Sequence, residues 1–470
     1  MSRTTSMSSE WTNFGRDLMV SLTDVPRGQW TTHLCGQLRG AVRNGALRPG
    51  VLLPSTRVLA ADLRLSRGLV VNVYEQLVAE GYLESRPGSA TLVSSMASRP
   101  ATANNTQQKV ASQVVRHNPG LPDLGLFPRT EWLKAYKTAL GNLPDRDLHY
   151  GDPQGYEPLR YQLADYLGRV RGSTATPDQI LIVNGYAQAL AILATVLPRV
   201  GIDTVAVEEP GSNGTRGQLQ YWGISTPPAT VDNHGLRVDA LESTGARAVL
   251  VTPAHHYPTG VVLSPDRRRQ LLAWVDAGPR YVIEDDYDAE YRYDHAPVGS
   301  LQPLAPDLII TGSSVSKTLA PGLRLGWLVL PTALVRDAVD TKAASDLAGP
   351  TLPQAALAHF LSSGAFDRHL RRSRRRYRQR RQELADRLEP HLPPDAITGL
   401  DAGLNLCIRL PRHLDDRKVA EQLRSRGVNC QALSYYHQTA PTQGGIILDL
   451  ATTTDTHLDH VIASTGTEAT

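Results

Sequence analysis

The chain has 470 residues, 41% hydrophobic and 20% charged, with a formal net charge of +3; that length and composition call for two or three folded domains and argue against wholesale disorder. Three scattered cysteines (Cys35, Cys407, Cys430) and a polar opening without an apolar signal core argue against a disulfide scaffold and a secretory leader, and fit a cytoplasmic protein. No apolar run reaches the roughly 18 residues of a membrane span, and so small a net charge leaves nucleic-acid binding to a local basic surface.

Residues 1–26 are polar. From Trp30 to Asn44, residues Leu34, Leu38, Ala41 and Val42 share one helical face, which Asn44-Gly45 closes. Leu53-Pro54-Ser55 opens a second helix, with Ser55 as N-cap, Arg57 in its first turn, and Val58, Leu59 and Leu63 inward. Ser66 caps a third helix that begins at Arg67 and stops at Gly81. Arg86-Pro87-Gly88-Ser89 joins two strand-like runs, Tyr82–Ser85 and Thr91–Val93, as a hairpin. Two short helices at a tight turn, then a hairpin, make a winged helix-turn-helix over 27–93. Its third helix suits the major groove. Arg57, Ser66 and Arg67, with Arg86 and Gly88 on the hairpin, are the candidate contacts to double-stranded DNA. The segment holds eight arginines and four acids, so it is basic where the whole chain is nearly neutral. A three-helix protein-interaction module is the alternative that helix order leaves open.

Residues 94–117 are rich in Ser, Thr, Ala, Asn and Gln, the composition of a flexible linker, the alternative being a polar surface loop. Beyond them, ILIVNG (180–185), TVAVEEP (204–210), AVLVTPAH (248–255), YVIEDDY (281–287) and LIITGSS (308–314) are apolar strand-like runs with helical stretches between them. Such alternation indicates an α/β domain with a mainly parallel, buried sheet, whose active site lies beyond the carboxyl ends of its strands.

The chain has six lysines against 43 arginines. One of the six, Lys317, follows the last of these runs, in a turn with Ser314 and Ser316. A lysine that forms a Schiff base needs such a fixed, partly desolvated place. Ser314 and Ser316, with Arg324 seven residues later, can hold a phosphate, and no glycine precedes the lysine as a Walker A loop requires. EDDYD (284–288) offers carboxylates, but nothing near it completes a metal site, so no metal is expected. A carboxylate facing a pyridine nitrogen, with a tyrosine two residues on for the ring's phenolic oxygen, suits it better. In VNGYAQAL (183–190) a strand passes through Gly185 into a helix whose first amides, Tyr186 and Ala187, are free for a phosphate. Together these features fit pyridoxal 5′-phosphate (PLP).

The stretch from GALRPG to SATLV resembles the GntR-type winged helix, apart from Ala90 where the wing usually has a second glycine. TPAHHYPTG, EDDYDAEYRY and SKTLAPGLRLGW, with DLGLFPRTEW and YGDPQGYEPLR before them, resemble the fold-type I aminotransferase domain of the MocR/GabR regulators over 118–462. The resemblance implies a mainly parallel seven-stranded sheet with a small α+β C-terminal subdomain. It implies Lys317 as the Schiff-base lysine, Asp285 at the pyridine nitrogen, Tyr287 at the 3′-oxygen, and Ser314, Arg324 and the Tyr186 and Ala187 amides on the phosphate. It also implies a domain-swapped homodimer on a DNA operator, controlled by PLP or by an amine or amino acid.

Three positions depart from the family pattern. Ser212 stands in EPGS where a tyrosine usually stacks on the cofactor ring. Asn405 replaces the usual histidine. Ile447 in ILDLA replaces the arginine that clamps a substrate carboxylate, with Arg409 and Arg216 as alternative clamps. Losing a bidentate arginine weakens amino-acid recognition, so PLP itself is the favoured signal, with vitamin B6 genes as its target. The runner-up is an active aminotransferase with an accessory DNA module; a third is a repressor whose aminotransferase fold only dimerises. The run 367–381 carries nine arginines, a solvated helix face or a set of distant phosphate contacts.

Overall fold

The computed structural model describes residue 22 and residues 25–85, 90–95, 120–293, 298–399, 401–441 and 443–465. The chain divides into two compact units, Met1–Val110 and Ala111–Thr470. Arg86 and Gly88 lie outside the described residues, as do 96–119. Among the described residues no helix is long and apolar enough to cross a membrane.

In the first unit α1 (Trp30–Arg43), α2 (Thr56–Asp62) and α3 (Arg67–Ala79) enclose a core of Leu34, Leu38, Val42, Leu59, Val70, Val73 and Leu77. Ser55 and Ser66 cap α2 and α3, each hydroxyl accepting from the amide three residues on. Val58 is not inward: it is 37% exposed, while Leu59 is buried and Leu63 half-buried. Neighbouring helix residues point about 100° apart, and a helix of under two turns presents a narrow inner face. Strands β1 (Leu83–Glu84) and β2 (Leu92–Val93) pair antiparallel, Leu83 opposite Val93.

The second unit centres on a sheet of β3 (Ile180–Val183), β4 (Val205–Glu209), β5 (Pro228–Asp232), β6 (Gly235–Leu236), β7 (Ala248–Val251), β8 (Tyr281–Asp285), β9 (Ile309–Ser314) and β10 (Gly326–Val329). Their order is β3-β10-β9-β8-β7-β4-β5-β6. Strands β5, β4, β7, β8 and β9 run parallel, and β10 is antiparallel to both its neighbours. The expected count of seven is therefore corrected to eight. The additional strand, β6, is two residues that fold back on β5 at a glycine with φ 90°, Gly235, too short to show as an apolar run. Both faces of the sheet carry packed side chains, with Leu181, Val183, Ile283 and Leu328 in one cluster and Ile182, Trp327 and Val329 in another. Double-sided burial is why these strands read as unbroken apolar runs.

Four helices of this unit matter below: α4 (Glu157–Arg171), α5 (Tyr186–Val196), α6 (Asn213–Tyr221) and α7 (Ala365–Leu388). After α7 comes a four-stranded antiparallel sheet, β11 (Ile397–Thr398), β12 (Asn405–Arg409), β13 (Cys430–Ala432) and β14 (Gly445–Asp449), in the order β11-β12-β14-β13. Helices Asp416–Ser425 and Asp455–Thr465 accompany it, with Leu423, Leu448 and Val461 in their shared core.

Candidate cofactor site

The carboxyl ends of four strands converge, as the parallel sheet requires. Strand β8 ends at Asp285, β9 ends at Ser314 three residues before Lys317, β3 leads through Gly185 into α5, and β4 leads to Ser212. Between them lies a cavity of about 400 Å³. Lys317, Asp285, Tyr287 and Ser314 line it, as do Arg324, Tyr186 and Ala187, so the seven residues that the resemblance implies around the cofactor meet in one place.

Lys317 donates from Nζ to the Gly120 carbonyl at 2.8 Å. Burial pushes its amine below the usual lysine range, which favours the neutral, nucleophilic form. Asp285 is buried, and that burial, with the negative charge of Asp286 second, holds its carboxyl well above the usual carboxylate range. Asp286 spends its own charge elsewhere, on a buried fork from Arg171 at the end of α4, at 2.8 and 2.9 Å. No cation pairs with Asp285 among the described residues. The Tyr186 hydroxyl lies buried beside it, and this contact partly offsets the rise of the Asp285 carboxyl.

At the other end of the cavity, α5 starts at Tyr186 with no capping side chain, so its first amides are open to an anion. Arg324 donates to the Asn184 carbonyl at 2.7 Å and lies flat against Gly185, where an added Cβ would sit 2.5 Å from the guanidinium. Gly185 also has φ 79°, so glycine serves both the turn and the close approach.

Several interactions were invisible in the sequence. His255 Nδ1 lies 3.0 Å from both the Tyr287 hydroxyl and Asp288. Glu208 lines the cavity, accepts from the Thr252 amide and hydroxyl at 3.0 and 2.6 Å, and is pushed by burial up to about 7. Tyr257 meets Tyr436 hydroxyl to hydroxyl at 2.8 Å. His255 and Tyr257 stand inside TPAHHYPTG, the one available signal.

The three departures acquire structural reasons. Ser212 caps α6, its hydroxyl accepting from the Thr215 amide at 3.2 Å. Asn405 donates to the Pro258 carbonyl at 3.3 Å. Ile447 sits opposite Cys407 and Gln431 and packs with Leu433, Tyr436 and Tyr257. Of the two substitutes, Arg409 is turned to Asn233 at 2.9 Å and does not line the cavity. Arg216 does line it: one guanidinium nitrogen meets Asn213, and the other is buried without a partner among the described residues. In the first unit Arg57, Ser66 and Arg67 are exposed, and neither arginine has an ion pair among the described residues.

Winged helix-turn-helix and aminotransferase fold together define a class, and comparison with known proteins agrees. Residues 31–93 match the model for bacterial regulatory proteins of the gntR family, and residues 122–464 match that for aminotransferase class I and II. The chain belongs to the MocR/GabR subfamily of GntR-type transcriptional regulators. It is 33% identical over 451 residues to the HTH-type pyridoxine biosynthesis transcriptional regulator PdxR of Corynebacterium glutamicum, covering 95% of this chain and 97% of that one. It is also 33% identical to the probable rhizopine catabolism regulatory protein MocR of Rhizobium meliloti, covering 91% and 90%. The second unit resembles a kynurenine aminotransferase of Pyrococcus horikoshii, solved with PMP, at 25% identity and a TM-score of 0.67, covering 73% of this chain and 89% of that one.

Proposed function

We propose that the chain is a cytoplasmic, PLP-responsive regulator in which cofactor capture in the second unit sets how the first engages its DNA operator. The observation that carries this is a half-buried lysine of lowered basicity in the same cavity as a buried carboxyl that no cation pairs among the described residues. The residues present fit PLP. A protonated pyridine nitrogen is the kind of cation that relieves the cost of charging Asp285. The uncapped end of α5, with Ser314 and Arg324, fits the phosphate, and Tyr287 fits the phenolic oxygen. PLP supplies an aldehyde for an amine and a ring that withdraws electrons. Lys317 offers an amine of lowered basicity, Asp285 holds the ring's charge, and His255 orients the Tyr287 hydroxyl.

A domain-swapped homodimer presents two readers to a two-fold operator. PLP itself, with vitamin B6 genes under control, agrees with the apolar setting of Ile447. A second reading, in which the signal is an amino acid, draws on the unpartnered nitrogen of Arg216.

The test is DNA affinity of the full chain on a duplex selected from a random library, with and without PLP. PLP is expected to change affinity or footprint for the wild type and to have no effect on Lys317→Ala. Equal binding by the wild type with and without PLP overturns the proposal. Steady turnover of an amino donor with a keto acid would instead favour the enzyme.

A further inference from the structure

The arginine run 367–381 takes no part in the cofactor cavity; it forms much of α7. Four of its members, Arg371, Arg374, Arg375 and Arg378, follow the spacing i, i+3, i+4, i+7 and so share one face. With Arg292 and Tyr293 they line a second cavity of about 390 Å³. Elsewhere on the helix Arg372 meets Glu131, Arg380 meets Glu383 and Arg381 meets Asp401, while Arg368 donates to the Ser363 carbonyl and Arg376 has no ion pair among the described residues. On the stripe, Arg374 donates to the Arg292 carbonyl at 2.6 Å, and no carboxylate faces Arg371, Arg375 or Arg378 among the described residues. Like charges at these spacings oppose helix formation. The helix stands because another of its faces is buried through Phe366, Leu370, Tyr377 and Leu384. Guanidinium groups such as those of Arg371, Arg375 and Arg378, which no carboxylate faces among the described residues, make a binding surface for phosphate oxygens.

We propose that this stripe is a second nucleic-acid contact, which takes the phosphate backbone of duplex DNA without reading its bases. Two observations favour DNA over a small anion. Seven residues of helix rise about 10 Å, a length over which one DNA strand carries about three phosphates. Arg371, Arg375 and Arg378 are exposed, as engagement of an extended polymer requires. The inference goes beyond the cofactor reading and takes from it only that the first unit binds DNA.

The test uses the full chain loaded with PLP and a long random-sequence duplex, with affinity measured against salt. In the triple variant Arg371→Gln, Arg375→Gln, Arg378→Gln, the slope of log affinity against log salt is expected to flatten by about two to three, roughly one for each phosphate that is no longer neutralised. Off the stripe, Arg376→Gln is expected to leave the slope unchanged. Retained cofactor absorbance shows that the variants fold; should the triple variant not fold, Arg375→Gln alone is expected to flatten the slope by about one. An unchanged slope overturns the proposal. So does a small-anion result, in which pyrophosphate protects the wild type but not the variant from heat while the slope stays the same. Loss of binding in Arg67→Gln tests the winged helix separately. If that variant binds normally while the stripe variant does not, the winged-helix reading fails and the stripe stands.

Discussion

Burial, and second the negative charge of Asp286, hold the Asp285 carboxyl well above the usual carboxylate range, a cost that a cation beside it relieves. Replacing Asp285 by Asn keeps the shape and removes the charge. Asp285→Asn is expected to weaken PLP binding about ten- to a hundredfold, the worth of one charge-assisted hydrogen bond. Fluorescence titration with PLP measures this, and undiminished affinity removes Asp285 from the site. Glu208 gives a pH dependence. Its carboxyl lies at about 7 in the folded chain against an ordinary 4.5, so the folded state holds an extra proton between those values. Its contribution is intact below about pH 4.5, declines as pH rises, and is a full penalty above about pH 7. Glu208→Gln keeps an acceptor for Thr252 and never charges. Its Tm gain over the wild type, without cofactor, is expected to be small at pH 5 and to reach a few degrees at pH 8. A gain that shrinks with rising pH contradicts the assignment.

At the scale of elements, the turn from β3 into α5 is the most constrained piece of the site. Gly185→Ala places a Cβ against Arg324 and asks an L-residue for φ 79°, at a cost of about 1 kcal/mol or more. If this turn holds the phosphate, the variant loses most of the preference for PLP over pyridoxal, measured by paired titrations; a preserved preference puts the phosphate elsewhere. Local signals made much of this legible: Ser55 and Ser66 announced two caps, and five strands showed as apolar runs because both faces of the sheet are buried. Long-range pairings were not legible. His255 meets Asp288 from 33 residues away, and nothing local marks β10 as the antiparallel strand between β3 and β9. Val58 was misplaced because apolar character alone does not fix the inner face of a helix under two turns long.

For the whole molecule, the change to a Ser-, Thr- and Asn-rich stretch after residue 93 was enough to suggest two units, and Ile447 was enough to question amino-acid chemistry. What no stretch of sequence carries is how one unit informs the other. If two-fold operators are the target, sedimentation of the PLP-loaded chain is expected to give a dimer at micromolar concentration, and a monomer argues against paired half-sites. All of this requires one covalent event at Lys317. Borohydride reduction of PLP-saturated protein, followed by peptide mass mapping, examines it. A single pyridoxyl adduct on the Lys317 peptide, absent from Lys317→Ala, is the expected result. No adduct, or one confined to another lysine such as the ion-paired Lys342, would contradict it.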